Sequence, residues 1–260
     1  MRFLHILKQP WPYVAVLVVI LGAVIIHNRS EPSNSTNSNK NTSTTEQQTK
    51  TPAKPAFNKK QYSYDDPGSP WVVVNKQRPL NPKDFAPDVA VPNVPLRSGA
   101  GSGEMQIAKQ AIPSLEEMVA AAKQENLSLM LASGYRSYSL QVSVYNAEVK
   151  NYGQAQADRE SARPGFSEHQ TGLAADLEPA SRQCEVQDCF GDLPEGKWVA
   201  ANSWKYGFIL RYTPDKEQIT GYRHETWHVR YVGKELAKEM HDTNVETLEE
   251  FFGLPAAPNY

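Results

Sequence analysis

Apolar positions in this chain fall into three regimes. Over residues 11–26 they run together without a charge, preceded by Arg2 and Lys8. From Asn28 to about Lys60 they nearly vanish, leaving Ser, Thr, Asn, Gln, Lys and Pro. From Trp71 onward they return with short-range periodicity, and the globular part is expected there. Val72, Val73, Val74 and Asn75 read as a short β-like run. Pro79, Pro82, Pro87, Pro92 and Pro95 then predict an irregular arm lying over the surface. Leu115, Met118, Val119 and Ala122 recur at helical spacing, and Ser114 with Glu117 forms a capping-box pattern, which predicts a helix from Ser114.

Residues 127–132 alternate around β-prone side chains and predict a strand ending at Ser133-Gly134. Residues 139–150 predict a helix with Val142, Tyr145 and Val149 inward. Residues 196–206 predict another, carrying Trp198 and Trp204 and stopped by Gly207. Residues 208–212 and 222–232 are candidate strands, and 234–241 and 245–252 close the chain as helices. Helices and strands mix without a regular βαβ alternation. The expected fold class is therefore α+β, a small mainly antiparallel sheet flanked by helices. Three parts follow: 1–27 as cytoplasmic N-terminus with a membrane anchor or signal, 28–65 as a disordered polar linker, and 66–260 as the globular domain.

The apolar run is short for a full span, so a cleaved signal peptide stands beside the anchor. No convincing cleavage site follows it, and we expect an uncleaved single-pass anchor with the remainder outside the cell. A polar segment such as 28–60 cannot offset its conformational entropy and serves as a tether. Net charge is −2 over 260 residues, without the basic field that a nucleic-acid partner requires. The two cysteines, Cys184 and Cys189, sit in a loop-like segment with no second Cys or His pair to complete a zinc site. Outside the cell a small disulfide is the better reading.

Chemistry concentrates in two places, Ser167-Glu168-His169-Gln170-Thr171-Gly172-Leu173-Ala174-Ala175-Asp176 and Glu225-Thr226-Trp227-His228. Either His169 or Asp176 alone would be read as a capping histidine or a solvated acid. Together, with small residues between them and His228 downstream, they match three zinc ligands with an open position for water. Gly172 favours a tight turn into a strand over a shared helix face. Glu225 is the expected general base. Since Glu225 and His228 would face opposite sides of a regular strand, a bulge or a strand start near Thr226 is required. His224-Glu225-Thr226-Trp227-His228 also satisfies the helical H-E-x-x-H pattern, but its β-branched and aromatic residues oppose a helix. Arg136, between a strand and a helix, is placed to fork onto a carboxylate or steady an oxyanion. A surface turn arginine is its bland alternative. Gln141 and Ser167 are further donors to a peptide substrate.

These residues resemble the VanY/LdcB-type D-alanyl-D-alanine carboxypeptidases. The likeness rests on Ser167-x-His169-x-x-Gly172-x-Ala174-x-Asp176, Glu225-x-Trp227-His228, and Ser133-Gly134-Tyr135-Arg136-Ser137 with Gln141. It extends to Val74-Asn75-Lys76, the Cys184/Cys189 loop and residues 206–212, covering about Trp71 to Gly233. The resemblance implies a fold of the Hedgehog/DD-peptidase kind. It further implies a zinc peptidase that trims the terminal D-alanine from peptidoglycan stem peptides. His169, Asp176 and His228 would be its ligands, Glu225 its catalytic glutamate, Arg136 its substrate arginine, and Gln141 and Ser167 part of the pocket. His224 departs from the family pattern and is assigned no role. An endopeptidase on the same scaffold and a non-catalytic wall-binding module are the competing readings, and D,D- versus L,D-specificity stays open.

Overall fold

The computed structural model describes residues 56–99 and 101–260. The expected anchor and most of the expected linker lie outside the described residues. Among the described residues, no helix is long and apolar enough to cross a membrane. The packed body reaches closer to the N-terminus than residue 66. Phe57 stacks on Trp71 with ring centroids 5.6 Å apart, Tyr62 meets the same indole edge-on, and the Val73 amide donates to the Tyr64 carbonyl. Three aromatic residues are enough to fasten a segment whose composition is otherwise that of a linker.

The elements run β1 (Val89–Ala90), β2 (Ile107–Ala108), α1 (Ile112–Gln124), β3 (Leu129–Ser133), α2 (Tyr138–Tyr152), α3 (Gln154–Glu160), β4 (Ala174–Pro179), α4 (Pro194–Asn202), β5 (Phe208–Leu210), α5 (Glu217–Thr220), β6 (His228–Tyr231), α6 (Lys234–Thr243) and α7 (Leu248–Phe252). β1 and β2 form a two-stranded ribbon. β3, β4, β6 and β5 lie side by side in that order, every neighbouring pair antiparallel. This is the expected α+β architecture.

Strand alternation divides the larger sheet into two chemically unlike faces. Leu129 and Leu131 of β3, Ala175 and Leu177 of β4, Phe208 of β5 and Val229 of β6 join Leu115, Met118 and Ala122 of α1 and Val199 of α4 in the main core. The intervening positions, Asp176 and Glu178 on β4 and His228 and Arg230 on β6, are buried too, but on the opposite face. A second apolar cluster of Trp71, Val73, Ile209 and Val232 with Leu236, Met240, Leu248 and Phe251 closes the other side of the domain. A polar strip is thereby enclosed between two hydrophobic bodies.

Several local expectations are revised. Val72 to Val74 are buried but form no strand, their backbone meeting the Tyr64 carbonyl and the Arg230 guanidinium instead of a neighbouring strand, and only Asn75 makes an isolated bridge, to Arg78. α1 starts at Ile112 with Pro113 in its first turn, and Ser114 is buried rather than capping. Pro113 supplies a preset φ at the helix start, so the capping box is bypassed. In α2, Val142, Tyr145 and Val149 are only half-buried, and Gln141 is the buried residue. α3 and α5 carry no clear apolar stripe and were not anticipated.

Candidate metal centre and catalytic pocket

His169 sits in a 3₁₀ turn, Glu168–Thr171, that ends at Gly172 in the left-handed region at φ 67°. The Ala108 amide nitrogen would lie 2.8 Å from any Cβ at that position, and it donates a hydrogen bond to the Gly172 carbonyl. Glycine is thus required both for its backbone angle and for the close approach of a neighbouring chain. The turn feeds directly into β4, so Asp176 arises two positions into the strand. This is the turn-into-strand geometry expected from the seven-residue spacing.

Asp176 pairs in register with His228 across β4 and β6. β6 begins at His228, while residues 222–227 are irregular, so the break demanded by the Glu225/His228 spacing falls where it was required. Glu225 therefore reaches the same side, with Oε2 3.7 Å from His228 Nδ1. Its amide donates to the Tyr212 carbonyl at 3.0 Å. No helix covers 224–228, which disposes of the H-E-x-x-H alternative, and His224 stands apart as a half-buried residue.

The geometry brings two imidazoles to one carboxylate. His169 Nε2 is 3.3 Å from Asp176 Oδ2, and His228 Nδ1 is 3.1 Å from Asp176 Oδ1. His169 Nδ1 lies 2.6 Å from the Gly134 carbonyl, which can only accept, so Nδ1 carries a proton and Nε2 is the nitrogen turned toward Asp176. One ligand atom from each of His169, Asp176 and His228 falls within 4.8 Å of the others, and all three residues are buried. Two borderline nitrogens and one carboxylate oxygen fit zinc in kind and number. The pairing of His169 Nδ1 with a backbone carbonyl is the outer support typical of a ligating histidine.

Charge in this strip is finely balanced. Burial pushes the Asp176 carboxyl up, but His169 and His228 outweigh it and hold it well below the usual carboxylate range. For His228, burial lowers the pKa, while the hydrogen bond to Asp176, the nearby Glu168 carboxylate and the charges of Asp176 and Glu225 raise it to about 10. Burial dominates at Glu225 and lifts it to about 7, His228 opposing and Asp176 assisting. The cluster thus holds an ionised Asp176, a protonated His228 and a Glu225 poised near neutrality, and a divalent cation would take the place of the His228 proton.

Around these groups lies a cavity lined by Arg136, Ser161, Ser167, Glu168, Tyr212, Tyr222, Arg223, Trp227 and Val186. Arg136 leaves β3 and precedes the Ser137 cap of α2. Its Nη1 donates to Gln141 Oε1 at 3.1 Å and its Nη2 to Ser133 Oγ at 3.3 Å, while its Nε is buried without a hydrogen-bond partner, 3.8 Å from Glu104 Oε1. Gln141 is not in the cavity wall. Its Nε2 is taken by Ser161 Oγ and the Ala162 carbonyl, so it braces Arg136 from behind. Ser167 does reach the wall. A more open depression continues outward past Arg136 and Arg223 toward Glu148 and Tyr152.

Cys184 and Cys189 form a disulfide. Val186, inside that loop, borders the cavity, and Arg223 pairs with Asp188 at 2.9 Å and with Glu160. Sequence reasoning missed Tyr212, Arg223 and Val186, which sit on loops with no periodic signal. It also missed Glu168, for which a signal existed. Arg211 and Arg230 stand in otherwise apolar runs, and buried cations there imply a buried anion between them.

The family model for VanY, a D-alanyl-D-alanine carboxypeptidase, matches residues 104–234. The chain is 43% identical over 188 residues to YodJ of Bacillus subtilis, a stretch covering 72% of this chain and 68% of the relative. Among solved structures it is similar to the LdcB LD-carboxypeptidase, with 43% identity, a TM-score of 0.68, and coverage of 72% of this chain and 87% of that one. It is also similar to a vancomycin-resistance D,D-pentapeptidase VanY variant solved with Zn(II), with 30% identity, a TM-score of 0.57, and coverage of 70% and 97%.

Proposed function

The chain belongs to the VanY family of D-alanyl-D-alanine carboxypeptidases, and from that premise we propose that it is a zinc-dependent enzyme removing the terminal D-alanine from peptidoglycan stem peptides. The observation that carries this reading is the convergence of His169, Asp176 and His228 on one point, with Glu225 beside them and Arg136 across the cavity.

His169, Asp176 and His228 would hold the ion. When bound, zinc supplies Lewis-acid polarisation of the scissile carbonyl and a water of lowered pKa. Glu225, with an affinity for protons near neutrality, takes the proton released on attack and returns it to the leaving amine. Arg136 pairs with the carboxylate of the terminal residue or steadies developing oxyanion charge, and its fork is held in place by Gln141 and Ser133. Tyr212 and Tyr222 wall the cavity and limit water around these groups.

An arginine braced by Gln141 and Ser133 in the cavity wall favours a substrate that ends in a free carboxylate, and so a carboxypeptidase over an endopeptidase. The Cys184–Cys189 disulfide supports an oxidising location, in keeping with an exported domain tethered through residues 11–26. The deciding experiment incubates zinc-loaded protein with defined tetra- and pentapeptide stems and identifies the products. Release of one D-alanine, abolished by a chelator, restored by zinc and indifferent to serine-directed inhibitors, is the expected result. Activity that survives the chelator would refute it, and internal cleavage would favour the endopeptidase.

A further inference from the structure

Glu168 lies immediately before a proposed ligand, and its carboxylate is fully buried. It is fully enclosed between two arginines. Arg211 Nε donates to Oε1 at 2.8 Å, and Arg230 Nη1 donates to the same oxygen at 2.7 Å. Both arginines are inaccessible to solvent, and Arg211 is gripped from its far side by Glu249 at 2.7 and 3.0 Å. Arg230 is further fixed on the Val72 carbonyl at 2.7 Å. Oε1 is thus saturated and the carboxylate immobile.

The other oxygen is not used by any of these partners. Glu168 Oε2 is buried without a hydrogen-bond partner, and so is His228 Nε2. The two orphaned atoms lie 3.5 Å apart. That separation is a few tenths of an ångström beyond an ordinary N–H···O contact of about 3 Å, so a small rotation of the imidazole completes the bond. Leaving both unmade in a dry interior would be costly for each. His228 Nδ1, on the opposite edge of the ring, faces Asp176.

We propose that Glu168 is a positioning residue that fixes the His228 ring and its tautomer, holding the proton on Nε2 so that the Nδ1 lone pair is presented to the metal. The buried Arg211/Arg230 pair is then the frame that holds Glu168 in place, and its burial serves orientation rather than stability. Outer partners of this kind commonly change metal affinity by roughly 10–100-fold. The inference rests on the metal-site reading above.

Glu168→Gln tests it sharply. The two arginine donors retain the amide oxygen in the Oε1 position, which turns the NH₂ toward His228. A donor there favours the opposite tautomer, with the proton on Nδ1. The control is Glu249→Gln, which weakens the same buried network but touches neither histidine. Zinc affinity measured on wild type and both variants should fall roughly 10–100-fold for E168Q and stay near wild type for E249Q. Equal affinity in E168Q, or an equal fall in both variants, would overturn the proposal. Should E168Q fail to fold, ¹⁵N imidazole resonances of the zinc-loaded wild type decide the matter. A protonated Nε2 on His228 supports the assignment, and a protonated Nδ1 refutes it. Wild-type protein that binds no zinc would overturn the metal reading itself, an outcome distinct from E168Q matching wild type.

Discussion

Asp176 and His228 are register partners on adjacent antiparallel strands, and their side chains meet at 3.1 Å on the face turned away from the main core. Two residues 52 positions apart in sequence are thus placed by backbone hydrogen bonding, and their mutual position is as rigid as the sheet. His169 joins them through a turn only a few residues upstream of the same strand. This construction makes the site pre-formed, with little ordering left for a metal to impose.

Removing the Glu225 carboxylate should separate binding from turnover. We expect Glu225→Gln to retain stoichiometric zinc and lose roughly 10²–10⁴-fold in kcat on D-alanine-terminated peptides. Zinc content by elemental analysis alongside steady-state kinetics checks both halves. Near-wild-type turnover would remove Glu225 from the chemistry.

Zinc affinity should strengthen with pH across neutrality. His228 carries a proton in the metal-free protein because its pKa is raised to about 10, and a cation must displace that proton. One displaced proton corresponds to about tenfold in apparent affinity per pH unit below that value. The same shift works on metal-free stability with the sign of a raised histidine. The contribution is complete below the ordinary 6.5 and is lost as pH rises through about 10. Zinc titrations at three pH values, with calorimetry in buffers of different ionisation enthalpy, read the proton release directly.

Arg136 should matter for the free carboxylate and little for anything else. Arg136→Ala is expected to cut kcat/KM on a free-acid stem peptide by about 10–100-fold, the equivalent of a charge-assisted hydrogen bond of about 1.5–3 kcal/mol. Its effect on the C-terminal amide of the same peptide should be small. Comparing the two substrates across the two proteins isolates the contact.

Gly172→Ala should damage both stability and metal binding. A left-handed backbone costs an ordinary residue about 1–2 kcal/mol, and crowding the Ala108 amide adds a further penalty of about 1–3 kcal/mol. Denaturant unfolding should show the sum, and zinc affinity should drop because the turn sets His169 against Asp176. Wild-type values for both would show that the turn is unimportant.

Opening the Cys184–Cys189 loop by double serine substitution should lower stability by about 2 kcal/mol from the freed short loop. Thermal melts of the variant, and of wild type under reducing conditions, should agree.

Much of the fold was legible because burial follows periodicity. Leu115, Met118, Val119 and Ala122 announced the buried face of α1, and Gly207 ended the helical segment before β5 at φ 85°. The strand at 222–232 was overextended because Tyr222 and Trp227 share the composition of a strand, although they line a cavity instead. α3 and α5 escaped notice because short, mostly exposed helices leave little apolar pattern.

Residue type and local spacing determined the ligand chemistry: two imidazoles, an aspartate, a nearby glutamate, and a glycine that only a left-handed turn explains. Those are properties of short segments, and short segments carry them in full. Tertiary structure decided which atoms meet. The β4–β6 register, the start of β6 at His228, the bracing of Arg136 by Gln141, and the approach of Glu168 to the far edge of His228 all depend on pairings between distant segments. Such pairings are selected by how two hydrophobic bodies close over a polar strip, and that closure is a property of the whole domain.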